Sequence, residues 1–227
     1  MTSTVQPRAV VLDIEGTISS LAFVKEQLFS FARWHLADYV RTHEAALAGI
    51  LDQVRRAEGY PELDTPQVVA VLLRWMDEDR KHPPLKTLQG KIWRQGFESG
   101  ELRGHLYDDA VRAIRRWHRS GVPVHIYSSG SVEAQQLLFR HSTHGDLRPL
   151  IAGYFDTTTG SKLDSRSYRA IASRIGEPAS CILFLSDHPG EIEAARDAGL
   201  QATLVMRETT SDAAPDAGAI GGFDELP

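Results

Sequence analysis

The sequence predicts an α/β protein, a Rossmann-like parallel-sheet core interrupted by an inserted all-helical cap. Three observations predict it. Four short apolar runs, 9–14 (AVVLDI), 122–128 (VPVHIYS), 181–186 (CILFLS) and 202–206 (ATLVM), read as buried strands, and 151–155 (IAGYF) is a weaker fifth. Helical patterns over 108–120, 131–141, 165–175 and 189–198 alternate with the later runs through short links. Residues 21–100 carry apolar residues at helical spacing and no strand-like run.

Each element has its own signal. The first run ends in a polar cluster, Asp13, Glu15, Gly16 and Thr17. The cap reads as helices over 23–43, 45–59, 65–81 and 84–101. The helix over 108–120 is closed by the turn SGVP, and that over 189–198 by DAGL. The tail after Arg207 is rich in small and polar residues and is expected to pack loosely apart from FDEL. Residues 1–18 and 103–227 are therefore assigned to the core and 19–102 to the cap.

A chain of 227 residues with 42% hydrophobic content holds one large domain, or a domain with an insertion. A net charge of −5 argues against nucleic acid or an anionic membrane as partner. The single cysteine, Cys181, excludes an intramolecular disulfide and suits a reducing cytoplasm. The longest apolar run, VVAVLL at 68–73, is too short to span a bilayer, and the N-terminus has no signal-peptide core. The expectation is a soluble cytoplasmic monomer acting on a small molecule.

In open α/β sheets, ligands bind beyond the carboxyl ends of the strands. Asp13, Glu15, Gly16 and Thr17 follow the first run, Ser128, Ser129 and Gly130 the second, and Ser186 and Asp187 the third, 181–186. Asp13 and Asp187 are hard oxygen donors suited to magnesium. Asp13 is also a candidate nucleophile, since a carboxylate can accept a phosphoryl group. Glu15 is placed for general acid–base work. Gly16 clears a side chain from an anion's path. The Ser128 hydroxyl and the amides of Ser129 and Gly130, at a helix start, suit a phosphate. Lys162, in a loop, offers a point positive charge.

Each residue alone has a plainer reading: a turn or N-cap aspartate, a capping serine, a solvated lysine. Their order along consecutive strand ends favours a site. His141 and His144, with Asp146 nearby, are read as capping or surface residues, the pairs Arg55–Arg56 and Arg115–Arg116 as solvated helix faces, and Trp75, Trp93 and Trp117 as core.

The segments DIEGT, IYSSGS, GSK and FLSDHPGEIEAA resemble the four motifs of the haloacid dehalogenase superfamily, over about residues 8–207. Glu15 in place of the usual second Asp, together with YSSGSVEAQQLLFRHSTHGDL, LQGKIWRQGFESGEL and FVKEQLFSFA, is similar to the enolase-phosphatase (acireductone synthase) family of methionine salvage. The resemblance implies a magnesium-dependent enzyme with one Mg2+ per chain. It would enolise 2,3-diketo-5-methylthiopentyl 1-phosphate and then dephosphorylate it to 1,2-dihydroxy-3-keto-5-methylthiopentene. It implies Asp13, Glu15 and Asp187 at the metal and Ser128, Ser129 and Lys162 at the substrate phosphate. Gly16, Thr17, Gly130 and Glu191 would support them, Glu191 by holding Lys162 or metal-bound water. After DIEGT the chain departs from the family's Thr-Thr-Pro-like run and reads ISSLAF (18–23).

Three competing readings remain open. One is a general phosphomonoesterase of the same superfamily. Another is a dehalogenase, which the paired acids disfavour. The third is a non-catalytic ligand-binding module, which the presence of both Asp13 and Lys162 disfavours.

Overall fold

The computed structural model describes residues 6–207 and 218–226. They form two compact units, one of residues 1–21 and 103–227 and one of residues 22–102.

The first unit is built on a five-stranded, wholly parallel sheet in the order β3-β2-β1-β4-β5. The strands are β1 (Ala9–Leu12), β2 (Val124–Tyr127), β3 (Ile151–Phe155), β4 (Ile182–Ser186) and β5 (Gln201–Leu204). β1 lies in the middle with Val10 opposite Val124 on one side and Leu183 on the other. All four of its residues are fully buried, which is why its sequence runs apolar without alternation. β3 is an edge strand whose Ile151, Gly153 and Tyr154 keep partial exposure, so its apolar signal is weaker. The helices of this unit are α4 (Asp108–Arg119), α5 (Val132–Arg140), α6 (Ser165–Ile175) and α7 (Pro189–Asp197). One core gathers Tyr127, Tyr168, Ile171, Phe184 and Ile192 from β2, α6, β4 and α7.

The chain runs outward from β1 to β2 and β3, then crosses to β4 and β5. The order therefore reverses between β1 and β4, and their carboxyl ends are the topological switch point. β1 ends two residues earlier than expected. The Asp13 amide still donates to the Leu185 carbonyl at 3.0 Å, but the amides of Thr17, Ile18 and Ser19 then converge on the Ile14 carbonyl. This tight loop spends its hydrogen bonds on itself and withdraws residues 14–19 from the sheet.

The second unit is all helical. A seven-residue π-helix (Phe23–Phe29) leads into α1 (Ser30–Glu58), followed by α2 (Thr65–Asp77) and α3 (Pro83–Ser99). The two helices expected over 23–43 and 45–59 meet at a kink within α1, the first of them opening in the π-turn. Only His43 leaves helical geometry inside α1 (φ −114°, ψ 19°), its Nδ1 lying 2.9 Å from the Tyr39 carbonyl. Asp64 and Gln67 start α2 with a reciprocal capping box. Trp75 is fully buried among Leu36, Leu51, Leu72 and Leu88, and its indole N–H donates to Glu58 at 2.7 Å. Trp93 packs against this core and donates to the Leu28 carbonyl.

The tail packs at FDEL as expected and is tied down earlier than expected, at Ile220. Residues 208–217 lie outside the described residues, but 218–226 are fastened down. Ile220 exchanges hydrogen bonds with Leu204 and Met206, and Phe223 is fully buried against Trp117. Arg116, of the pair expected to be solvated, is half-buried and donates to the Leu226 carbonyl. His141 closes α5, His144 lies 3.2 Å from the Leu106 carbonyl, and Asp146 pairs with Arg148. Among the described residues, no helix is long and apolar enough to cross a membrane.

Candidate active site

The carboxyl ends of β1, β2 and β4 and the loop after β3 carry the predicted residues. Asp13 is buried directly after β1. The next turn needs a left-handed residue, which Gly16 supplies at φ 76°. A Cβ there would collide with the Asp187 carboxylate after β4, so the same glycine lets two acids from neighbouring strands approach. Thr17 then joins them. Its hydroxyl donates to Asp13 Oδ2 at 2.8 Å and accepts from the Asp187 amide at 2.9 Å.

Lys162 enters from the loop between β3 and α6. Its ammonium pairs with Asp13 Oδ1 and, at 2.7 Å, with Glu191 Oε2 on α7. The Ser186 hydroxyl donates to the same Glu191 oxygen at 2.7 Å. The Tyr168 hydroxyl donates to the Lys162 carbonyl at 2.8 Å, and the Tyr127 ring lies under the ammonium at 5.7 Å. Lys162 is therefore anchored at its backbone and at its charge.

Electrostatics follow from three acids sharing one buried lysine. Burial works against the Lys162 ammonium, but Asp13 and Glu191 outweigh it and hold its pKa above the ordinary lysine value. Burial, with repulsion from Asp13 and Glu191, pushes Asp187 up to about 6. Burial and Asp13 also raise Glu191, against the pull of Lys162.

After β2, Ser128 is buried and its amide donates to the Phe155 carbonyl at 3.2 Å. The Gly130 amide, expected to face an anion, instead donates to Ser128 Oγ at 3.1 Å. The reason is local: a serine two residues ahead reaches back to form a side-chain turn before Ser131 caps α5. Gln135, nearly fully buried on α5, fixes this loop by donating to the carbonyls of Gly130 and Phe155 at 2.8 and 2.9 Å.

A family model for haloacid dehalogenase-like hydrolases matches residues 7–199. The Enolase-phosphatase E1 of Methylococcus capsulatus is 50% identical over 203 residues, 88% of this chain and 89% of that protein. The chain belongs to the enolase-phosphatase family of haloacid dehalogenase-like hydrolases. The Enolase-phosphatase E1 of Parvibaculum lavamentivorans is also 50% identical, over 221 residues covering 96% of this chain and 94% of that one. The crystal structure of the UTR4 protein of Saccharomyces cerevisiae superposes with a TM-score of 0.83 at 35% identity, covering 97% of this chain and all of that one.

For an enolase-phosphatase, the donor set fits a hard divalent cation. Asp13 and Asp187 are oxygen donors from adjacent strands, and the site's three acids exceed its one lysine. Asp13 and Asp187 are joined through Thr17, and Glu15 lies in the loop between Asp13 and Gly16. Among the described residues no three His, Cys, Asp or Glu side chains form a ready metal cluster. The Lys162 ammonium pairs with Asp13 and Glu191. Two carboxylates suffice for magnesium, which keeps several waters.

Sequence reasoning missed Gln135, Tyr168 and Arg207, and gave Ser186 no task of its own. Each acts on a partner distant in the fold or carries a residue type common in helices and loops, so no local pattern marked it. Thr17 and Glu191 were placed as support, and their partners emerge only from the fold.

Proposed function

We propose that the chain is the enolase-phosphatase of methionine salvage. It enolises 2,3-diketo-5-methylthiopentyl 1-phosphate and then hydrolyses the phosphate ester, releasing 1,2-dihydroxy-3-keto-5-methylthiopentene and phosphate. The observation that carries this reading is the junction of Asp13, Lys162, Glu191 and Asp187 through Thr17 at the β1–β4 switch point.

In enolisation a proton leaves carbon 1 and the carbon 2 carbonyl becomes a hydroxyl. In dephosphorylation an oxygen of Asp13 attacks phosphorus, and the bond from phosphorus to the substrate oxygen breaks. Glu15 donates a proton to that leaving oxygen. Glu15, now a carboxylate, takes a proton from water, whose oxygen attacks phosphorus and breaks the bond to Asp13. Phosphate leaves and both acids return to their starting forms. Lys162, with Ser128 and Ser129, holds the phosphoryl oxygens and balances their charge. Thr17 keeps Asp13 aimed, and Glu191 with Ser186 keeps Lys162 in place. One Mg2+ held by Asp13 and Asp187, with Glu15 beside them, would neutralise charge on the transferring phosphoryl group. We place the enzyme in the cytoplasm as a monomer, in keeping with its one buried, unpaired Cys181.

The test is a time course with purified protein, magnesium and the diketo phosphate, following ultraviolet absorbance for the enol and inorganic phosphate together. Enol formation preceding or accompanying phosphate release, with both lost on chelation, supports the assignment. Hydrolysis of simple esters with an untouched diketone would make it a general phosphomonoesterase.

A further inference from the structure

We propose that Arg207 is a positioning residue for the Asp13–Asp187 pair, and that it links the C-terminal segment 218–226 to the site through Thr17. The inference rests on the proposed roles of Asp13 and Asp187.

Arg207 follows β5 and turns back under the loop after β1. Its Nε donates to the Thr17 carbonyl at 2.9 Å. Thr17 is the residue whose hydroxyl touches both Asp13 and the Asp187 amide. Its neighbour Ile18 is also tied from below, its carbonyl accepting from the Tyr107 amide at 2.9 Å. The backbone of the loop is thus gripped on one side while its hydroxyl orients both acids on the other.

The grip has a second anchor. Arg207 Nη1 lies 2.5 Å from Asp109 Oδ2, and the Phe223 amide donates to the same oxygen at 2.7 Å. The guanidinium is sandwiched between Tyr107 at 4.3 Å and Phe223 at 5.0 Å. Gly222 has no side chain where a Cβ would come within 2.8 Å of Asp109 Oδ2, which lets the tail close over the pair. Burial works against the Asp109 carboxylate, yet the bonds from Arg207 and Phe223 outweigh it and keep its pKa below the ordinary aspartate value.

A packing role alone does not account for this arrangement. Arg207 is only 10% exposed, and its Nη2 is buried with no hydrogen-bond partner among the described residues. A buried ion pair is often no better for stability than well-packed apolar side chains. What the guanidinium adds is direction: a rigid fork that reaches Thr17 and Asp109 at once, which a lysine cannot reproduce.

The experiment compares Arg207→Lys and Asp109→Asn with Ile171→Val, a core change on α6 away from this network. Hydrolysis of p-nitrophenyl phosphate and the rise in Tm on adding magnesium are both measured. Arg207→Lys is expected to lose about 10- to 100-fold in kcat with KM little changed, because small misplacements of reacting groups are costly. Its magnesium-induced rise in Tm should shrink, while Ile171→Val keeps both kcat and the magnesium response despite a lower Tm. If Arg207→Lys and Asp109→Asn behave like Ile171→Val, Arg207 is structural glue and the inference fails. Should Arg207→Lys not fold, Phe223→Ala decides: a reduced kcat and magnesium response support the link to the tail, and unchanged values overturn it. If the parent protein releases phosphate neither from p-nitrophenyl phosphate nor from the diketo phosphate, the functional reading fails, and the magnesium response of the variants still decides the role of Arg207.

Discussion

Glu191 holds the ammonium of Lys162 at 2.7 Å, with each side chain only 11% exposed. An acid on α7 thus fixes a lysine from the loop after β3 against Asp13 at the end of β1. Lys162→Met should lower kcat about 100- to 1,000-fold, as expected for loss of a charge aimed at the transferring group. Glu191→Gln leaves the lysine with one partner and should cost about 10-fold. Steady-state phosphate release checks both, and equal losses would contradict the supporting role given to Glu191.

Gly16→Ala meets two obstacles, a left-handed backbone at φ 76° and the Asp187 carboxylate. The backbone alone costs about 1–2 kcal/mol, or about 2–4 °C in Tm per kcal/mol for a chain of this size. Displacement of Asp187 should also weaken the response to magnesium. Thermal melting with and without the metal measures both effects.

Gln135→Leu removes a donor from the Gly130 carbonyl and one from the Phe155 carbonyl, which keeps the Ser128 amide. A loss of about 1–3 kcal/mol in stability is expected from the two hydrogen bonds together. Because the loop carries Ser128 and Ser129, KM should rise more than kcat falls. A larger fall in kcat than rise in KM would argue that the loop does more than bind phosphate.

His125 is buried on β2, with no partner for Nδ1 among the described residues. Burial holds its pKa below the ordinary 6.5. The unfolded chain therefore takes up a proton first as pH falls. This contribution to stability is flat above about 6.5 and declines below it, until the folded form is also protonated. His125→Leu should flatten that decline, as seen in denaturant midpoints between pH 7.5 and pH 5, a window chosen around the ordinary histidine pKa. An unchanged slope would assign the acid sensitivity elsewhere.

Glu15→Asp shortens the side chain by one methylene, about 1–1.5 Å of reach. Phosphate release and enolisation should then be affected unequally, since one step protonates an ester oxygen and the other moves a carbon-bound proton. Parallel rates for the two steps in the variant would refute a special role for the longer acid.

The sheet was readable because its inner strands are almost wholly buried and mostly apolar. β1 and β4 contribute Val10, Val11, Leu12, Phe184 and Leu185, all fully buried, and no other class of segment tolerates such runs so briefly. The division of the helical unit near residue 44 was legible too, for helical geometry breaks at His43, whose ring stacks on Tyr39 and meets the Tyr39 carbonyl. The tail was legible in part: FDEL stood apart from a loop-like composition, and Phe223 is core because α4 presents Trp117 to it, whereas nothing local marked the hydrogen bonds of Ile220.

By itself, the sequence determined which residue types stand at the strand ends: the acids after β1 and β4, the serines after β2 and the lysine after β3. Hydrophobic patterning sets where strands stop, and chain order then fixes which polar residues come directly after each stop. Only the tertiary structure decided how those groups meet. Thr17 joins its near neighbour Asp13 to Asp187, 170 residues away, Lys162 is shared by Glu191 and by Asp13, 149 residues before it, and Arg207 grips Thr17 from beneath across 190 residues. Such pairings depend on strand order and on the crossover at the β1–β4 switch point. They cannot be encoded in any short window of sequence, because each becomes favourable only when the sheet has already brought its partners together.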